Sequence, residues 1–209
     1  MDNLSIDYIN NRIKNEFCLD IMEKIDDYNL REEYYNCTSV KNKVKNIRNI
    51  FKNNDISDEK TEIVIKQLLT HIIPPGLKGV IRGHKFNQYI KNIILDNISK
   101  NDNLEIFFEK ECEYSFEKPD WYIIDKLTNK CLVGMNQLDI FSGGQQLNRG
   151  SKYLLNNSDN KILCVICNKL EFKNTKSKTY KLFNHGFKNN TLCYPNNLIN
   201  IIKNYFNVK

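Results

Sequence analysis

Asp120 follows Pro119 and opens the apolar run WYIID, and the next apolar run, CLVGM, ends in Asn136, Gln137 and Asp139. A strand that buries Leu132, Val133 and Met135 gains nothing in packing from polar side chains at its far end; they meet solvent or perform chemistry. Alternation puts Cys131, Val133, Met135, Gln137 and Asp139 on one face, and Leu132, Gly134, Asn136 and Leu138 on the other. If the two runs pair through a turn at LTNK, the Asp120 carboxylate and polar groups of the second strand converge on one point. Oxygen donors so placed suit a hard cation such as Mg2+, which polarises a phosphodiester and helps generate the attacking hydroxide. The plain alternatives are a strand-entry aspartate and a solvated strand end.

A second cluster, SGGQQLNRGSKY, suits nucleic acid. Two glycines let the backbone approach a phosphate, and free amides at the following helix N-terminus favour anions. Arg149 can fork onto guanine and Gln145 or Gln146 onto adenine in the major groove. Lys152 and the loop LEFKNTKSKTYK would contact phosphates, setting position more than sequence. A helix cap or a structural ion pair is the competing account. Cys164-x-x-Cys167, with His185 and Cys193, invites a zinc reading, but KILCVICNKL is an apolar strand whose two thiols point to opposite faces. These cysteines read as small buried residues, and His71 and His84 as structural.

The elements that must position these groups follow from periodicity. Ile6, Ile9, Ile13, Phe17, Ile21 and Ile25 recur at helical steps, which predicts an amphipathic helix from Ile6 to about Asn36, with a break near Tyr28. VKNKVKNIRNIFK predicts a second helix. A third is capped by Ser57 or Asp58 and stopped at Pro74-Pro75-Gly76, and GVIRGHKFNQYIKNIILDNI forms a fourth. NLEIFFEKECEYSF, PDWYIID and KCLVGMNQLDI read as paired strands, QQLNRGSKYLLNN as a helix, KILCVICNKLEF as a strand buried on both faces, and NNLINIIKNYF as a final helix. NTKSKTYK reads as a mobile loop. The expected architecture is α/β: a mixed central sheet flanked by helices over 76–209, with an N-terminal helical subdomain over 1–75.

A helix carrying RGHKF, a strand, Pro119-Asp120, a hairpin, and a helix that opens on QQLNRG and contains KYL resemble the PD-(D/E)XK nuclease superfamily, and within it the type II restriction endonucleases. The resemblance covers about residues 79 to 170. It implies that Asp120 binds the metal. Met135 and Gln137 stand where the family has its acidic residue and lysine, Gln being a known variant there, and Asn87 stands where the preceding helix frequently carries an acid. Asp139, or Glu113 on the preceding strand, is the candidate for the second metal-binding carboxylate; Gln137 would orient the nucleophilic water, with Asn136 as the other polar contributor. The resemblance further implies a restriction-endonuclease-like core and Mg2+-dependent, sequence-specific cleavage of double-stranded DNA leaving a 5′-phosphate. A homodimer would match a two-fold site. The alternative is a catalytically degenerate nuclease fold that binds DNA without cutting.

Composition bounds these readings. The chain has 209 residues, 41% of them hydrophobic, enough for a core. A net charge of +6 permits a polyanionic partner without demanding one, because Lys and Asn are abundant everywhere in the chain. Seven cysteines, an odd number, suit reduced thiols in an intracellular compartment. No secretory or transit pattern opens the sequence and no apolar run approaches the roughly 20 residues needed to span a bilayer, so the cytoplasm or nucleus is expected, with no membrane partner.

Overall fold

The computed structural model describes residues 4–26, 36–140, 144–155 and 161–208. They form helices α1 (Ile6–Glu16), α2 (Leu19–Asp26), α3 (Thr38–Lys52), α4 (Asp58–Ile72) and α5 (Pro75–Ile98), then strands β1 (Leu104–Phe108), β2 (Trp121–Asp125) and β3 (Cys131–Gln137). Helix α6 (Gly144–Leu154), β4 (Lys161–Ile166), α7 (Lys178–Lys188), β5 (Leu192–Cys193) and α8 (Pro195–Phe206) complete the order. The chain divides into two compact units: Met1–Met22 with Phe86–Lys209, and Glu23–Lys85.

In the larger unit the five strands lie in the order β1-β2-β3-β4-β5. Strand β2 runs antiparallel to both β1 and β3, and β3, β4 and β5 are parallel. This is the mixed sheet flanked by helices that the sequence predicts. One face carries Tyr122, Val133, Met135 and Cys164, which share a core with Ile9 and Ile13 of α1, Leu147 and Leu154 of α6, and Phe183 and Phe187 of α7. Thus α1 lies with the sheet, although the sequence groups it with the helices of 1–75. Periodicity shows that α1 has an apolar face but not which surface that face covers.

Four local expectations change. The first helix ends at Phe17, which takes extended backbone angles (φ −72°, ψ 130°), before α2 begins; Tyr28 lies outside the described residues. Helix α5 starts at Pro75, since a proline in the first turn forfeits no helical hydrogen bond. Strand β1 stops at Phe108, so Glu113 lies in the connection to β2 and not on a strand. Finally, Lys178 and the residues after it form α7, and Leu192–Cys193 adds a fifth strand. Ser177 caps α7 by accepting from the Tyr180 amide, and Tyr180, Phe183 and Phe187 are buried at helical spacing.

In the smaller unit, α3 and α4 pack through Val40, Val44, Ile65 and Ile72, which share a core with Ile73 and Ile81.

Candidate active site

Trp121 pairs with Gly134 across β2 and β3, so Asp120 lies one residue before the ladder, beside the end of β3. Its carboxylate is held from two directions. Oδ2 accepts the backbone N–H of Asn136 at 2.6 Å, and Oδ1 accepts the Asn87 side-chain amide, from α5, at 2.7 Å. Asn136 Nδ2 donates to Asn87 Oδ1 at 3.0 Å, and Asn136 Oδ1 accepts the Trp121 indole N–H at 3.1 Å. These bonds close a ring of three polar side chains and leave none of them free to rotate. Asp120 and Asn136 therefore meet, as the hairpin predicts, and Asn87 joins them at the position where the resemblance calls for an acid.

Burial raises the Asp120 carboxyl above its ordinary value; the Asn136 and Asn87 bonds oppose the shift, the Glu109 charge adds to it, and the Arg149 charge opposes it. The donors in contact with it are neutral amides, so its negative charge is not balanced within the ring. Glu109 is the nearby acid that the sequence does not mark. Its backbone N–H donates to the Asp120 carbonyl at 3.1 Å, which sets it directly across from Asp120. Its φ of +49° is a left-handed conformation that costs a non-glycine residue about 1 kcal/mol or more. Only the β1–β2 register brings it there.

Gln137 faces the opposite side of β3 from Asn136, buried to 8% exposure. Its amide donates to the backbone carbonyls of Asp139, at 3.0 Å, and of Gln146, which ties β3 to the first turn of α6. Its Oε1 is buried without a partner. Met135, at the position where the resemblance calls for an acid, is packed into the core at 1% exposure. Glu113 is exposed, hydrogen-bonded to Tyr114, and its charge acts on Cys131 at the opposite end of β3 from Asn136. Among the described residues no group of three or more His, Cys, Asp and Glu side chains can hold a metal ion, so Asp120, Asp139 and Glu113 are not gathered into one set, nor are Cys164, Cys167, His185 and Cys193. Burial holds the Cys164 and Cys193 thiols neutral.

Gln145, Gln146 and Arg149 are exposed on α6, whose first residue, Gly144, has φ +71°. Ser142 and Gly143 lie outside the described residues. Lys152, expected to reach phosphate, bonds Glu117 at 3.1 Å and lies over the Phe116 ring at 4.8 Å. The Tyr153 hydroxyl donates to the same carboxylate at 2.7 Å. Burial works to raise the Glu117 carboxyl, but the bonds from Tyr153 and Lys152 and the charges of Lys152 and Arg149 hold it below the ordinary range.

No protein-family model, curated protein or solved structure matches the chain. No helix among the described residues is long and apolar enough to cross a membrane.

Proposed function

We propose that the chain is a Mg2+-dependent, sequence-specific endonuclease acting on double-stranded DNA, built on a restriction-endonuclease-like core and working as a homodimer. One observation carries this reading: Asp120, at the mouth of the β2–β3 hairpin, is held by Asn87 and Asn136, with Glu109 across from it and no Lys or Arg among the described residues bonded to its carboxylate. Mg2+ is commonly held by one or two carboxylates, with water and substrate phosphate filling its other positions. The residues fit that requirement, since each Asp120 oxygen accepts one hydrogen bond and keeps further acceptor capacity. Asp120 and Glu109 would hold the cation, which when bound supplies Lewis-acid polarisation of a phosphoryl oxygen. Asn87, Asn136 and the Trp121 N–H keep the carboxylate oriented. Gln137, on the other face of β3 and tied to the α6 backbone, has the positioning of that helix beside the site as its role, in place of orienting the attacking water. The exposed Gln145, Gln146 and Arg149 face base edges.

A second reading, binding without cleavage, is favoured by Met135, whose side chain fills the core where the resemblance calls for a metal ligand. A plasmid digest with Mg2+ or Mn2+, repeated with Asp120→Ala, separates the two. Discrete fragments abolished by the substitution support the endonuclease. Salt-sensitive binding with intact plasmid supports the binding protein.

A further inference from the structure

Helix α3 holds five of the chain's basic residues, Lys41, Lys43, Lys45, Arg48 and Lys52, and no acidic residue. With it set aside, the remaining sequence has 26 basic residues (31 less 5) against 25 acidic ones. Nearly all of the net charge of +6 is therefore carried by one fifteen-residue helix in the smaller unit.

The residues are also sorted by face. At about 100° per residue, Val40, Val44, Ile47 and Phe51 share one stripe of about 60°, which packs inward. Lys41, Lys45, Arg48 and Lys52 fall in the next stripe of similar width, and all four are exposed. Asn42, Asn46 and Asn49 form the third stripe and are exposed as well. A Lys- and Asn-rich composition supplies the residue types but does not segregate them. An ordinary solvated helix face mixes signs, as α4 does with Asp58, Glu59, Lys60, Glu62 and Lys66. Placing Lys41 four residues before Lys45, and Arg48 four before Lys52, sets like charges against each other and works against helix stability. Arg48 is paired with Glu62 at 2.7 Å, and Lys43 reaches the Ile72 carbonyl at 3.3 Å. The side chains of Lys41, Lys45 and Lys52 have no hydrogen-bond or ion-pair partner among the described residues.

We infer that the exposed side of α3 is a docking surface for duplex DNA, with the lysine stripe on phosphates and the asparagine stripe turned to base edges. The inference rests on duplex DNA being the partner, not on cleavage. From Lys41 to Lys52 the helix rises roughly 16 Å, which matches about five base pairs along the duplex. The major groove admits an α-helix, and a carboxamide pairs with the N6 and N7 edge of adenine. Cations beside amides on one exposed helix meet both requirements.

The test is duplex binding, in chelator, by the full chain carrying Asp120→Ala, so that cutting cannot interfere. Replacing Lys41, Lys45 and Lys52 with Gln is expected to weaken binding of all duplexes alike and to lower the slope of log K against log salt by about 3. Circular dichroism should be unchanged, since the three side chains are exposed. Replacing Asn42, Asn46 and Asn49 with Ala is expected to leave the slope intact and flatten preference among duplex sequences. An unchanged slope in the lysine variant overturns the inference, as does absence of duplex binding or tighter binding of RNA than of duplex. If plasmid is cut yet the lysine variant binds normally, this inference fails and the nuclease stands; if plasmid is never cut but binding depends on the three lysines, the reverse holds.

Discussion

The Trp121 indole occupies the space that a side chain at Gly134 would need: a Cβ on Gly134 would lie 1.8 Å from Trp121 Cε2. The two residues pair directly across β2 and β3, and the ring lies over β3 so that its N–H reaches Asn136. The glycine thus holds the polar ring around Asp120 together through the tryptophan.

Gly134→Ala is expected to destabilise the protein by about 3 kcal/mol, because the backbone or the indole must shift within a close-packed core. Trp121→Phe removes the N–H and part of the ring bulk from a fully buried site, which should cost about 2 kcal/mol. Denaturant titration orders the two variants. Trp121 is the single tryptophan of the chain, so its fluorescence should change when divalent cation or DNA reaches the site. A flat signal under conditions of proven binding would place the ligand elsewhere.

The raised Asp120 carboxyl has a defined sign in folding. Its pKa in the folded state lies above the ordinary value of 3.8, so the folded protein binds this proton more tightly than the unfolded chain. That contribution is fully present below 3.8 and is lost as pH rises through the higher folded value. Relative to Asp120→Ala, the wild type should therefore lose stability as pH climbs through this window. Mg2+ should restore it above the window, in the wild type alone, because a bound cation favours the charged carboxylate. Thermal melts at several pH values with and without Mg2+ check both.

Met135→Glu would install an acid at the position where the resemblance calls for one. Because Met135 is 1% exposed and packs in the core, the substitution should cost about 3–5 kcal/mol by burying an uncompensated charge, and it should confer no added cleavage. A variant that folds normally and cuts faster would show instead that this side of β3 opens to the metal.

Much of the fold was legible in local pattern. The α3 periodicity, the turn at LTNK and the β4 run all reappear as elements, because each depends on residues a few positions apart. Helix α7 carried a usable signal in Ser177 and the Tyr180, Phe183 and Phe187 spacing, hidden by the lysines before it. Pattern puts Glu113 on the preceding strand and leaves Glu109 unmarked, because the length of β1 is set by its pairing with β2, which composition does not report. The bond that takes Lys152 away from phosphate is not legible in sequence, since it joins residues 35 positions apart.

The amino-acid sequence alone determined that Asp120 opens a strand, that Asn136 and Gln137 face opposite ways, and that α3 carries its cations and amides in separate stripes. Those are properties of single elements with fixed periods. Only the tertiary structure decided that Asn87, 33 residues before Asp120, bonds its carboxylate, that Glu109 stands across from it, and that Gln137 is turned to the α6 backbone. Such proximities follow from strand register and from which helix face covers the sheet. Both are set by burial and pairing summed over the whole chain, not by any short stretch of it.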